Sequence, residues 1–180
     1  MPFNDSQYYI FRVGTYDSSD IPGNETRGGE ISNLTFQCGN YDLSSELKAL
    51  YGADKYVTTA AIFVQNATYS TFKELTFKYV FNTCMLIVSD YESHFELLRF
   101  HCCGGVRNSK VYPVIYLDKS GYSYASSVSA NWFTFLHFDS CVGPYIYGGA
   151  QNNGHNEFNC VLVTGDMNTY NQACPDVNSE

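Results

Sequence analysis

Short runs in which apolar and polar residues alternate recur along this 180-residue chain and constrain its fold more than any other feature. In residues 73–81, Leu75, Phe77 and Tyr79 alternate with polar residues, which predicts a strand with one apolar face. Runs of this kind, separated by stretches rich in Gly, Asn and Ser, are typical of strands joined by turns. The pattern predicts an all-β protein, an antiparallel β-sandwich of about nine strands. The predicted strands are residues 8–13, 31–36, 57–64, 73–81, 84–88, 95–100, 111–117, 132–138 and 158–164.

One short helix is predicted beside the strands, near residues 42–51. Three leucines share one helical face in this segment, and Gly52 follows its last turn. The length of the chain suits one domain. We therefore expect residues 1–180 to form a single β-sandwich domain, with a candidate boundary near residues 103–105.

The charge of the chain excludes some classes of partner. Its formal net charge is -8, from 10 Lys and Arg against 18 Asp and Glu. Ten scattered cations cannot form a large basic patch, so we do not expect nucleic acid as a partner. No apolar run approaches the roughly 18–20 residues that span a bilayer, and the N-terminus lacks the regions of a signal peptide. We expect no membrane span and no leader.

The seven cysteines leave two interpretations open. Up to three disulfides and one free thiol would indicate an oxidising compartment, whereas seven free thiols would act as small hydrophobic residues. No Cys-x-x-Cys motif is present, and the neighbours Cys102 and Cys103 would diverge in a strand, so we predict no metal site and no cofactor. Four sequons are candidate glycosylation sites and leave an extracellular location open. They are Asn4, Asn24, Asn33 and Asn66.

Residues 31–98 carry a further pattern. Asp42-Leu-Ser opens the predicted helix, Asn66-Ala-Thr-Tyr follows it, and Lys73-Glu-Leu-Thr-Phe-Lys-Tyr forms an alternating strand before a closing strand that contains Leu97-Leu. The pattern resembles the small C-terminal β-module of some DnaJ-type proteins and its free-standing bacterial and fungal relatives. This resemblance implies a β-sandwich without established catalytic residues. Because the chain has no His-Pro-Asp motif, the resemblance implies no co-chaperone activity.

The sequence predicts no catalytic residues. It contains no nucleophile elbow, phosphate-binding loop or zinc-protease motif. A Cys–His nucleophile pair needs contact between thiol and imidazole. Alternation along a strand would align His101 with Cys103 rather than with Cys102. We therefore expect a protein that is not an enzyme, with a small hydrolase using His101 or His155 as the minor alternative.

Tyrosines are frequent between residues 112 and 147, next to a polar segment rich in Gly and Asn at residues 148–159. A tyrosine side chain combines a large contact area with a polar tip, which suits sugar stacking and protein interfaces. Amide groups can hydrogen-bond to hydroxyl-rich ligands. We predict a non-enzymatic module that binds carbohydrate or a glycosylated surface. The predicted ligand-binding residues are Tyr145, Tyr147, Asn152, Asn153, His155 and Asn156.

The alternative function is that of a self-assembling structural protein, such as a coat, fibre or crystal-forming subunit. Its Tyr-rich surface would form the interfaces, and a cysteine left over from an odd number could link chains. Low charge density would also let copies approach closely. The partner would then be a protein surface or a second copy of the chain.

Overall fold

A computed structural model describes residues 8–14, 26–37, 58–65, 67–81, 83–88, 90–107, 110–118, 128–148, 155–166 and 168–169. These residues contain eighteen strands, numbered in chain order. The strands are β1 (Tyr8–Gly14), β2 (Thr26–Arg27), β3 (Glu30–Ser32), β4 (Thr35–Gln37), β5 (Thr58–Gln65), β6 (Ala67–Thr68), β7 (Thr71–Lys73), β8 (Thr76–Lys78), β9 (Thr83–Val88), β10 (Asp90–Tyr91), β11 (His94–His101), β12 (Gly105–Arg107), β13 (Lys110–Tyr112), β14 (Ile115–Asp118), β15 (Val128–Ser129), β16 (Trp132–Asp139), β17 (Ile146–Gly148) and β18 (Glu157–Thr164).

The described residues are mostly β-strand, as predicted, but the prediction of an antiparallel β-sandwich is wrong. Both large sheets are parallel, and among the described strands only the hairpin of β12 and β13 is antiparallel. Alternation of apolar residues reports which face of a strand is buried and carries no information on strand direction. The helix predicted at 42–51 lies outside the described residues. The described part of 31–98 forms parallel strands rather than the expected sandwich.

The chain passes repeatedly through the same two sheets. The first sheet has the order β1, β5, β9, β14, β17, and the second contains β3 with β4, β7 with β8, then β11, β16 and β18. Each pass adds one strand to each sheet, directly beside the strand of the preceding pass. The short pairs β2 with β6 and β10 with β15 lie at the corner between the sheets. This winding is that of a parallel β-solenoid, in which each coil contacts its neighbours along one axis.

Stacked aromatic rings fill the interior of the second sheet. The ring of Phe95 lies between those of Phe72 and Phe133, at centroid distances of 4.8 Å and 4.6 Å. Phe158 continues the column at 4.7 Å from Phe133. These distances match the spacing of neighbouring strands, about 4.8 Å, because residues in equal register stack along the axis. A second column contains Phe36, Phe77, Phe100, Phe138 and Tyr145.

Residues with left-handed backbone form the bends of each coil. Within the second sheet, one such residue in each coil occupies the same position between two straight halves of the strand. In β11 this residue is Leu97, with φ of 54°, so the buried side chains are Phe95, Leu98 and Phe100. The bend interrupts the alternation, and the buried positions become i, i+3 and i+5. The equivalent residues are Asn33, Glu74, Leu97, Phe135 and Cys160.

A buried polar ladder holds the corner that precedes β11, β16 and β18. The side-chain oxygen of Asn156 accepts hydrogen bonds from the backbone N and Nδ2 of Asn131, at 3.2 Å and 3.1 Å. Asn131 Oδ1 accepts from the backbone N of Ser93 at 2.9 Å, and Ser93 Oγ donates to the carbonyl of Ala67 at 2.9 Å. Pairing satisfies these buried groups. The ladder therefore fixes where the three strands begin, one above another.

The candidate boundary near residues 103–105 lies within the solenoid. The main core cluster includes Phe100 and Cys103 together with Val114 and Phe138. Gly104 also forms a parallel bridge with Val142. The described residues on the two sides of 103–105 therefore pack into one core cluster.

Candidate functional site

The two tyrosines of the predicted binding site have different surroundings. The ring of Tyr145 stacks on Phe138 at 4.9 Å and packs against the main core. Tyr147 is 49% exposed on the outer side of the first sheet, where its ring lies 5.4 Å from that of Tyr116. The two rings do not combine into one flat surface.

The polar residues of the predicted site also differ in what they can offer a ligand. Asn156 is half-buried, and besides the two bonds that its oxygen accepts, its Nδ2 donates to the carbonyl of Val128 at 2.7 Å. This side chain therefore stabilises the corner. His155 is exposed and has a left-handed backbone, with φ of 62°. Asn152 and Asn153 lie outside the described residues.

The single tryptophan of the chain lies on the outer face of the second sheet. Trp132 is the first residue of β16 and is 37% exposed. The imidazole of His94, at the same position in β11, stacks on the indole with a centroid distance of 4.7 Å and an angle of 16°. Because β16 lies between β11 and β18, the opposite face of the indole is directed towards β18.

The start of β18 supplies a carboxylate and an amide beside this indole. Glu157 is in register with Trp132, and Asn159 is in register with Thr134. Asn159 Nδ2 donates to Glu157 Oε1 at 2.5 Å. This bond orients the carboxylate of Glu157 along β18, towards Asn159. We define the Trp132 surface as His94, Trp132, Thr134, Glu157 and Asn159.

Sequence reasoning missed this surface, although one signal was present. The only tryptophan of the chain opens a strand that was interpreted through its alternation alone. His94, Trp132 and Glu157 are far apart in the sequence and become neighbours only through parallel register. The signal that could have found the site is a lone, large aromatic residue at a polar position of a strand.

A second cluster occurs where β11 and β16 end. Asp139 Oδ2 lies 2.7 Å from His101 Nδ1, and His101 Nε2 lies 3.7 Å from Cys102 Sγ. The prediction that His101 aligns with Cys103 rather than with Cys102 is wrong. Cys102 has a left-handed backbone, with φ of 51°, so the regular alternation of a strand ends at this residue.

The electrostatics of this cluster disfavour a thiolate. Partial burial opposes ionisation of Asp139, but hydrogen bonds with His101 and Ser140 hold its pKa below the usual range. The carboxylate therefore accepts from Nδ1–H of His101, and Nε2 of the same ring faces the thiol of Cys102. Burial, together with Cys141 and Asp139, raises the pKa of Cys102 to about 12. Because Cys102 is also fully buried, the cluster holds a protonated, inaccessible thiol and stabilises the bend.

None of the five cysteines in the described residues forms a disulfide bond. Cys84, Cys102, Cys103 and Cys141 are buried, while Cys160 on β18 is exposed. A hydrogen bond with Cys103 is the main cause that raises the pKa of Cys141, and burial is the second. Cys38 and Cys174 lie outside the described residues. Within the described ranges no group of three or more His, Cys, Asp or Glu side chains could hold a metal ion.

Of the four sequons, Asn33 lies in the described part of the chain. It is exposed, with φ of 58°, at the bend between β3 and β4, so a glycan would be accommodated there. Asn4, Asn24 and Asn66 lie outside the described residues. No described helix is long and apolar enough to cross a bilayer.

Comparisons with protein-family models, curated proteins and solved structures find no match to this chain. The likeness of residues 31–98 to the DnaJ-type module stays a prediction. The function must therefore be argued from the residues of this chain.

Proposed function

We propose that this protein is a non-enzymatic binding module that recognises carbohydrate through the Trp132 surface. The observation that supports this proposal is the exposed indole of Trp132, which has a stacked imidazole on one face and a carboxylate–amide pair beside the other. The surface lies on strands of a packed solenoid, so its side chains are held on a rigid support.

The aromatic part of the surface suits the apolar face of a sugar ring. An indole provides a broad apolar area with a single polar N–H. His94 packs against one side and restricts the rotation of the indole, which reduces the entropy that binding would cost. Phe135, 54% exposed, lies three residues further along β16, roughly 10 Å away by the rise of a strand. Two rings of one oligosaccharide could thus each meet an aromatic side chain.

The polar part of the surface suits hydroxyl groups. Glu157 accepts hydrogen bonds, whereas the amide of Asn159 both donates and accepts. Their mutual hydrogen bond places the two groups side by side, so one sugar ring can meet both of them. Because Glu157 carries a negative charge, we expect neutral oligosaccharides to bind better than acidic ones.

The emission of Trp132 provides a direct test, because no other tryptophan contributes to it. Neutral oligosaccharides selected on a glycan array are titrated into the protein while the emission is recorded. We expect a saturable change in intensity or wavelength, and calorimetry should give the same dissociation constant. Absence of binding by every glycan on folded protein would refute the function.

Two alanine variants locate the site. Trp132→Ala should abolish the heat of binding, and Tyr147→Ala should leave it unchanged, because Tyr147 is an exposed aromatic residue on the other sheet. Loss of binding in Tyr147→Ala with retention in Trp132→Ala would contradict the Trp132 surface and favour the Tyr145–Asn156 region.

A further inference from the structure

The second sheet ends in an open strand. β18 pairs with β16 on one side, and it is the last strand of this sheet among the described residues. All eight of its residues are exposed. An edge strand of this length offers a row of backbone N–H and C=O groups for pairing with a further strand.

The inward side chains of β18 are those that a further strand would cover. Phe158, Val161 and Val163 occupy the i, i+3 and i+5 positions that are buried in β11 and β16, yet they are 38%, 46% and 48% exposed. Covering this apolar area would be favourable, because it removes apolar surface from water. At the other edge of this sheet, the inward ring of Phe36 on β4 is 7% exposed. A head-to-tail stack of copies would therefore place the uncovered side chains of β18 beside an edge whose inward ring is already covered.

β18 is complementary to itself in the antiparallel direction. When Glu157 is placed opposite Thr164 of a second copy, Phe158 lies opposite Val163, and both side chains belong to the inward face. Asn159 then lies opposite Leu162 on the outward face. In this register no charged residue of β18 faces a like charge, and antiparallel pairing gives a closed dimer with two-fold symmetry.

We infer that β18 is a dimer interface, at which it pairs antiparallel with β18 of a second copy of this chain. In this register the two-fold axis lies at the middle of β18, beside the bend residue Cys160, so the Cys160 thiols of the two copies lie close to it. Cys160 is exposed and free in the single chain. β18 also carries Glu157 and Asn159 of the Trp132 surface, but the pairing of the two strands does not depend on carbohydrate binding.

Two lysine variants on neighbouring positions test the interface by sedimentation. Val161→Lys places a charge on the inward, apolar side of β18, where pairing would bury it, and should convert the dimer to a monomer. Leu162→Lys places the same charge on the outward side, where Leu162 is 54% exposed, and should leave the dimer intact. Circular dichroism checks that both variants keep their β structure.

Cross-linking tests the register on the unmodified chain. A short bis-maleimide, which adds to two thiols without oxidation, should link two copies, and Cys160→Ser should lose this product. A wild-type protein that sediments as a monomer at every concentration would overturn the inference, as would species larger than a dimer. A dimer that withstands Val161→Lys, or that forms no cross-link through Cys160, would also overturn it.

Discussion

Asp90 carries an acidic group into the interior of the solenoid, and its ionisation should make the stability of the fold depend on pH. The residue is fully buried, in register with Val128 at the corner between the sheets. Its Oδ1 lies 3.1 Å from Ser93 Oγ, whereas its Oδ2 has no hydrogen-bond partner among the described residues. Burial raises the pKa of Asp90 well above its usual range, although the bond from Ser93 partly opposes this effect.

The sign of the pH effect follows from the direction of this shift. The folded chain retains the proton of Asp90 at pH values where the unfolded chain, with a pKa of about 3.9, has lost it. Above that pH the free energy of unfolding should fall by about 1.4 kcal/mol per pH unit from this group, until the folded pKa is reached. Asp90→Asn removes the charge at every pH and keeps an oxygen that accepts from Ser93. The stability difference between Asp90→Asn and wild type should therefore rise with pH at this slope.

Urea unfolding followed by circular dichroism between pH 4 and 7 measures this difference. The change of this stability difference with pH tests the prediction, because a pH-independent cost of burying the amide in the variant Asp90→Asn would shift the difference equally at every pH. Asp139→Asn is the matched control: the pKa of Asp139 is lowered, so its stabilisation is present above the unfolded pKa and is lost as pH falls. This variant should be less stable than wild type near neutral pH and should approach it in acid. A flat or falling difference for Asp90→Asn would refute the neutral buried carboxyl group.

Three further perturbations test the core, the corner and the thiols. Phe95→Ala should lower the free energy of unfolding in urea by about 3–5 kcal/mol. Phe135→Ala, at an exposed position, should change this free energy by less than about 1 kcal/mol. Equal losses in the two variants would contradict the stacked column. Asn156→Ala should lower the free energy of unfolding by roughly 1–3 kcal/mol in the same assay, because it removes an oxygen that accepts hydrogen bonds from the buried Asn131. An unchanged urea midpoint would show that the polar ladder does not contribute to stability. Of the five described cysteines, Cys160 should react first with a thiol reagent in the native state. Mass spectrometry of the labelled peptides measures the order of reaction. Equally fast labelling of Cys102 would contradict the burial of Cys102.

The positions of the strands could be predicted from the sequence, whereas their arrangement could not. Each of the nine predicted segments overlaps an observed strand. The solenoid was missed because its coils differ in length, so that the stacked residues Phe72, Phe95, Phe133 and Phe158 follow one another at uneven spacing and show no repeat. Left-handed residues such as Leu97 also shift the phase of burial within a strand.

For the candidate site as well, the residue types could be predicted from the sequence, whereas the contacts between them could not. Its polar and aromatic residue types could be recognised in the sequence, and the polar segment at 148–159 contains Glu157 and Asn159. Asn156, a predicted ligand-binding residue, instead bonds within the corner. The contact between Trp132 and His94 depends on the register of two strands that the sequence does not specify.

The sequence alone determined that this chain folds into strands, because alternation of apolar and polar side chains suits a sheet with one buried face. It also determined that the chain carries few cations and one tryptophan. Only the tertiary structure decided that the strands run parallel, that Trp132 faces solvent beside Glu157, and that β18 is left open. The physical reason is that burial acts on each residue locally, whereas pairing direction and register depend on contacts between residues distant in the chain.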